Sequence, residues 1–328
     1  MKKLVFLVAL LAMACLLVVW AQPPWNPAND LGSRVRQEIE EMQAQIKANG
    51  WNFTVGPNAA MQYDLSQLTG FRPELEPSSF RYHNAGQPGY PEIKPMVTLP
   101  AAYVGWCSTI KNQGSCGSCW AFSTIGNLEG AVLKKNGAPE AYVTSNGTIS
   151  VSGSVPDLSE QQLVSCNPWG WGCNGGNIAY DMLMPSNVGS TGYFPGAMTE
   201  TCFPYVAANA TCSYCPSPTY TAVTNWAFLT SGTTTPTVTA IKTAIYTYGS
   251  VSAYVYADRF FQAYTGGVFT SSKKYRSTNH AIVLVGWDDS KGAWLLKNSW
   301  GPNWGIGGFM WIQYGVCNVG QGAAWVTD

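Results

Sequence analysis

Residues 113–123 read Gln-Gly-Ser-Cys-Gly-Ser-Cys-Trp-Ala-Phe-Ser, a glycine-rich loop that runs straight into an apolar segment. Ala121, Phe122, Ile125, Leu128, Val132 and Leu133 recur at helical spacing and Gly137 is a stop, which predicts a helix from Cys119 to Asn136. Cys119 then occupies the first helical turn. Backbone N–H groups without intrahelical partners, together with the helix dipole, stabilise an anion there, so Cys119 is a candidate thiolate. Two other chemistries fit Cys116-x-x-Cys119: a zinc half-site completed by Cys212-x-x-Cys215, or a redox dithiol. The long gap between the pairs and an exported chain argue against zinc. The surroundings lack a thioredoxin-like pattern, which argues against the dithiol.

Outward from this stretch the pattern divides. A second helix begins at Ser159, where Ser159-Glu160-Gln161-Gln162 has the form of a capping box. A third is expected over Asn177–Met184 and a fourth over Thr237–Tyr248. Val251–Ala257, Ala281–Trp287, Ala293–Lys297 and Phe309–Tyr314 are short β-rich runs separated by turn residues. A helical half followed by a β half predicts an α+β protein of two packed subdomains with a cleft between them. The chain has two histidines, His83 and His280, and only His280 lies in this region, at the head of a strand. A lone histidine is by itself more often an ordinary core or surface residue than a catalyst.

Towards the N-terminus, Lys2 and Lys3 precede an apolar run from Leu4 to Trp20, and Val19-Trp20-Ala21 supplies small residues for cleavage. Residues 1–21 therefore read as a secretory signal peptide; the run is slightly short for the rival reading, an uncleaved anchor. Residues 22–97 carry one amphipathic helix over Leu31–Asn49, with Val35, Ile39, Met42 and Ile46 as its stripe, then an extended Pro/Gly/Asn-rich stretch. This segment has too little apolar patterning for a core of its own and must lie on something else. The 18 basic and 18 acidic residues cancel, and only 11% of the chain is charged, which leaves no phosphate-neutralising patch and argues against a nucleic-acid partner. Ten cysteines become nine after processing. In an oxidising compartment disulfides are the default, and an odd number leaves a free thiol.

Residues 113–123 resemble the active-site signature of the papain family of cysteine peptidases. Four further motifs agree in order: Ser159-Glu-Gln-Gln-Leu-Val-Ser-Cys166, Gly172-Cys-Asn-Gly-Gly176, Asn279-His-Ala-Ile282 and Lys297-Asn-Ser-Trp-Gly301. The resemblance, from about Leu99 to Cys317, implies a papain-like fold over residues 98–328. Its helical left subdomain covers about 106–216 and its β-barrel-like right subdomain about 217–328, with the active-site cleft between. It implies that Cys119 is the nucleophile, that His280 holds the proton, that Asn298 fixes the imidazole tautomer and that Trp300 shields that bond. Gln113 and the Cys119 N–H would form the oxyanion hole. Gly175 and Gly176 would pair with substrate backbone, and Asn177, Ile178, Ala281 and residues near Gly322 would wall a pocket for an apolar side chain two residues before the cut.

The same resemblance implies Cys116–Cys173 and Cys166–Cys212. Cys107, Cys202, Cys215 and Cys317 remain, and Cys107–Cys317 with Cys202–Cys215 is the expectation, leaving Cys119 free. Residues 22–97 resemble a shortened propeptide, an inhibitory prosegment threading the cleft and cut near 94–99. Its Gly56-Pro-Asn58 stands where the family has Gly-x-Asn-x-Phe-x-Asp, with Ala60 and Gln62 replacing the Phe and the acid. The expectation is a secreted, monomeric endopeptidase precursor acting on polypeptides, with no cofactor or metal and no membrane contact after signal removal. His280 and Asn298 lie 161 and 179 residues after Cys119, against roughly 130–150 in the family, which an insertion over Tyr142–Pro156 explains. Asn279 replaces the usual Asp, and histidines for a carboxypeptidase loop are missing.

Overall fold

The computed structural model describes residues 32–77, 84–87, 94, 98–189 and 192–328. The signal segment and His83 lie outside the described residues, and so does much of the expected cleavage region.

Helix α1 (Ser33–Asn49) buries Ile39, Met42 and Ile46 and half-buries Val35, the four stripe positions. It ends on Gly50, in the left-handed region, with the Trp51 N–H returning to the Ile46 carbonyl. Strand β1 (Phe53–Val55) and the short helix α2 (Leu65–Leu68) follow. Strand β2 (Ala102–Val104) leads to α3 (Cys119–Lys135), in which every residue from Cys119 to Leu133 is buried, so the helix is packed all round rather than on one face. The region 142–156 forms a small hairpin, β3 (Tyr142–Val143) with β4 (Ile149–Ser150).

Helix α4 (Glu160–Cys166) is capped as expected on one side only. The Ser159 hydroxyl accepts from the Gln162 N–H, but the Gln162 side chain turns away to bond Gly196 and Met198, on and beside strand β5 (Ala197–Met198). The helix expected over 177–184 is not one: only a 3-10 turn at Tyr180–Leu183 forms, and Pro185 opens a second turn. Asn177 spends its side-chain oxygen on the Ile178 N–H and the Tyr254 hydroxyl, a local bond that competes with helix formation.

The second half is a sheet. After β6 (Tyr220–Thr221) come β7 (Asn225–Phe228), helix α5 (Val238–Tyr248), β8 (Val251–Val255), the short α6 (Arg259–Gln262) and β9 (Tyr264–Phe269). Then follow β10 (His280–Asp288), β11 (Ala293–Lys297), β12 (Phe309–Gln313) and β13 (Gln321–Thr327). Their order is β1-β9-β12-β11-β10-β8-β13-β7, with β2 also on β10, and only the β9–β12 pair is parallel. The edge strand β1 comes from the N-terminal segment, and Ile39, Met42, Ile46, Phe53 and Val55 join Phe260, Phe261, Tyr264 and Phe269 in one cluster. Among its described residues the segment has no separate core; they are built into that of the β half.

Cys116 bonds Cys173, Cys166 bonds Cys212 and Cys202 bonds Cys215. These bonds remove the thiols that a zinc site or a redox dithiol needs. The Cys107–Cys317 expectation is wrong. Both are free and buried, Cys107 among Val283, Val285 and Leu295 and Cys317 in the cluster that contains Phe260 and Val319. Two separate cores hold them, and counting cysteines carries no information about that. Among the described residues three thiols are therefore free, not one.

Candidate active site

Cys119 opens α3, and the loop before it is held by Gly117, whose N–H donates to the Cys173 carbonyl. Its sulfur accepts from the Gly70 N–H at 3.2 Å. Burial pushes the thiol up, and the N–H groups of Ala281, Gly70, Trp120 and Phe71 oppose that shift. The Ala281 contact brings β10, which begins at His280, against the start of α3. His280 Nε2 and Asn298 Oδ1 are 2.8 Å apart. The Trp300 ring centroid lies 4.8 Å from the imidazole, and all three residues are buried. Burial pulls His280 down to about 4, opposed by the hydrogen bond that its ring donates to Asn298 Oδ1. Nδ1 makes no hydrogen bond among the described residues. Burial therefore disfavours the charged form of both groups in this state.

Gln113 is oriented by Ser299, whose hydroxyl donates to Oε1 at 2.7 Å. That leaves Nε2 to donate to the Cys116 carbonyl and, at 3.2 Å, to the Leu68 carbonyl. Trp300 Nε1 reaches the same Leu68 oxygen at 3.3 Å. Asn279 exchanges two hydrogen bonds with the Ala257 backbone, one as donor and one as acceptor, a task a carboxylate could not do alone.

The cleft is filled by the chain's own residues 68–72. The Gly176 N–H donates to the Gly70 carbonyl at 2.9 Å and the Arg72 N–H to the Gly176 carbonyl at 3.0 Å. The Phe71 N–H reaches the Asn279 carbonyl at 3.0 Å. Gly70 is under a steric demand: a Cβ there would lie 1.7 Å from the Gly117 carbonyl oxygen. The sequence carries no mark of this residue's importance, nor of Ser299 as the orienter of Gln113. Gly175, Gly176, Asn177, Ile178, Ala281 and Gly322 all come to this side of the cleft, around Phe71, Arg72 and Tyr254.

A profile of the papain family cysteine proteases matches residues 101–327. Pro-cathepsin H of Bos taurus is 36% identical over 223 residues, 65% of this chain and 58% of that protein. A senescence-specific cysteine protease of Arabidopsis thaliana is 31% identical over 314 residues, 89% of this chain and 81% of the relative. Fruit bromelain of Ananas comosus is 33% identical, with 53% of its length covered. Among solved structures, a digestive procathepsin L2 proteinase from Tenebrio molitor larval midgut superposes with TM-score 0.71 at 26% identity, over 90% of each chain.

Proposed function

The chain belongs to the papain family of cysteine proteases, and from that membership we propose that it is an exported, monomeric endopeptidase made as an inactive precursor. Cys119 attacks the scissile carbonyl carbon as thiolate, and His280 gives its proton to the departing amine. The thioester is then hydrolysed by a water whose proton returns to His280, releasing the acid. Asn298 keeps the imidazole turned toward the sulfur. The Gln113 amide and the Cys119 N–H receive the oxyanion, each worth about 3 kcal/mol.

One observation carries this reading: the groove already holds a polypeptide, with its backbone paired to Gly176 and its amide on the sulfur. That peptide is residues 68–72, so we read 22–97 as the inhibitory prosegment and 98–328 as the peptidase domain. Residues 68–72 run through the groove from beside Trp300 to beside Gly175, which supports internal cleavage. The seated prosegment also dehydrates Cys119 and His280, which holds back the ion pair. Three disulfides and the N-terminal apolar run favour an oxidising, extracytoplasmic compartment. The test is a quenched peptide blocked at both termini, together with a peptidyl epoxide. Cleavage and stoichiometric labelling of the trimmed enzyme, both lost in Cys119→Ala, are expected. Labelling at another cysteine, or cleavage by the Ala variant, rejects the assignment.

A further inference from the structure

The loop 113–118 delivers both groups assigned to the oxyanion: Gln113 brings its side-chain amide, and Ser118 leads directly into Cys119. One phenol touches both ends of that loop. Tyr205 Oη donates to the Gln113 carbonyl at 2.9 Å and lies 2.6 Å from Ser118 Oγ. A carbonyl only accepts, so the phenol proton is committed to Gln113 and the Ser118 hydroxyl donates to the Tyr205 oxygen. Gln113 and Ser118 are fully buried. Burial pushes the phenol up, so it keeps its proton at neutral pH. Tyr205 is itself held. Its N–H donates to Glu200 Oε1 at 2.7 Å, and the Val206 N–H to Gln161 Oε1, on α4, at 3.0 Å. Its ring stands edge-on to Phe122 of α3, with centroids 4.8 Å apart. From the β half, Ser299 accepts the Gln113 N–H on its carbonyl and holds Oε1 with its hydroxyl. Tyr205 supplies the opposing grip from the helical half. Without its hydroxyl, the Gln113 carbonyl and the Ser118 hydroxyl would be buried unpaired, and the loop would shift to satisfy them.

We propose that Tyr205 is a positioning residue for peptide-bond cleavage. Its hydroxyl fixes the Gln113 backbone and, through Ser118, the start of α3, so that the two oxyanion donors converge. This inference rests on the peptidase reading above and adds a residue that acts through Gln113 and Ser118.

Tyr205→Phe keeps the ring against Phe122 and removes only the hydroxyl. In trimmed enzyme, with active sites counted by a peptidyl epoxide, kcat for a quenched peptide should fall about 10- to 50-fold while KM stays within about 2-fold. In a Gln113→Ala background, where one donor is already gone, the same change should cost less than about 3-fold. A tyrosine that only stabilised the fold would lower the melting temperature and leave kcat per counted site unaltered. If Tyr205→Phe does not fold, Ser118→Ala, which leaves the ring in place, carries the test. A kcat loss of about 3-fold or more at constant KM is then expected. An unaltered kcat in the variant measured overturns the inference, and so does an undiminished loss for Tyr205→Phe in the Gln113→Ala background. Either result leaves the peptidase reading standing while the parent cleaves. No cleavage and no labelling of the parent removes both.

Discussion

Gly70 and His280 set the two states of the cleft. Gly70 has backbone on the side where a Cβ would go, and the Gly117 carbonyl cannot retreat without disturbing the loop that presents Cys119. Gly70→Ala should therefore lift the prosegment without touching the peptidase domain. An overpacking cost of about 1–3 kcal/mol corresponds to roughly 5- to 150-fold weaker seating. Epoxide labelling of the full-length chain, followed before any shortening on a gel, should accelerate accordingly; an unchanged rate would mean that residues 68–72 do not guard the sulfur. His280 gives a second reading. In the seated state burial pulls it to about 4, so it refuses a proton that the open cleft accepts. The seated state keeps this contribution above about 6.5 and loses it as pH falls toward about 4. With only two histidines in the chain, an NMR titration of the Cys119→Ala precursor can follow His280 directly. A midpoint near 4, rising once the prosegment is cut away, is expected, and the same midpoint in both forms would contradict the burial argument. Cys119, His280, Asn298 and Gln113 were legible because each sits in a dense local motif. Tyr205, Gly70 and Ser299 were not, since their tasks come from neighbours far away in sequence.

Among the elements, α1 shows how a marginal helix is held by its destination. Its stripe was legible at helical spacing, but not the surface that receives it, because Phe260, Phe261 and Tyr264 belong to a region two hundred residues on. Docking is mostly uncharged. Asn58 donates to the Gln262 carbonyl at 2.9 Å, and Gln262 Nε2 donates back to the Ala60 and Tyr63 carbonyls. A charged contact comes from Arg259, which grips both oxygens of Glu38 at 2.6 and 2.5 Å. That grip, assisted by Arg34, holds the Glu38 carboxyl below its usual range against partial burial. The pair therefore adds to seating at neutral pH and is lost as pH falls below about 4.5. Glu38→Gln should speed epoxide labelling of the full-length chain about 3- to 5-fold at pH 7, as a part-exposed pair worth about 1 kcal/mol allows. In stronger acid the variant and the parent should converge. A difference that persists there would assign the effect to packing. The segment 177–184 was misread for a comparable reason: a helix was expected there, while Asn177 and Pro185 committed the backbone elsewhere.

At the scale of the whole molecule the two halves are joined beneath the cleft by charges that composition gave no reason to expect. Lys111 sits 2.8 Å from Glu129, 3.0 Å from Glu160 and 2.9 Å from Asp157. The other Glu129 oxygen accepts from the Ser108 hydroxyl, which in turn accepts from Lys297 at 2.7 Å. Lys297 ends β11 and is followed by Asn298, so the chain of contacts runs from the helical half to the residue that orients the imidazole. Burial pulls Lys297 down and pushes Glu160 up, while the Glu129 side chain contacts Lys111 directly and Lys297 through the Ser108 hydroxyl. Glu129 also accepts from the Leu158 N–H at 2.8 Å, so a neutral amide there would set donors against donors. Removing one member of a buried ionic set leaves the others uncompensated, at a cost of about 3–5 kcal/mol. Glu129→Gln, made in the Cys119→Ser precursor to prevent self-digestion, should lower the urea midpoint by an amount matching that loss. Because Lys297 and Asn298 are adjacent, the same substitution in active protein should also reduce kcat more than it raises KM. A full-strength urea midpoint with unaltered kinetics would mean that Glu129 does not hold Lys111 and Lys297 in place, and the halves would then be joined by their other contacts, such as Ser123 on the Ile282 carbonyl and Asn127 on the Ala324 carbonyl.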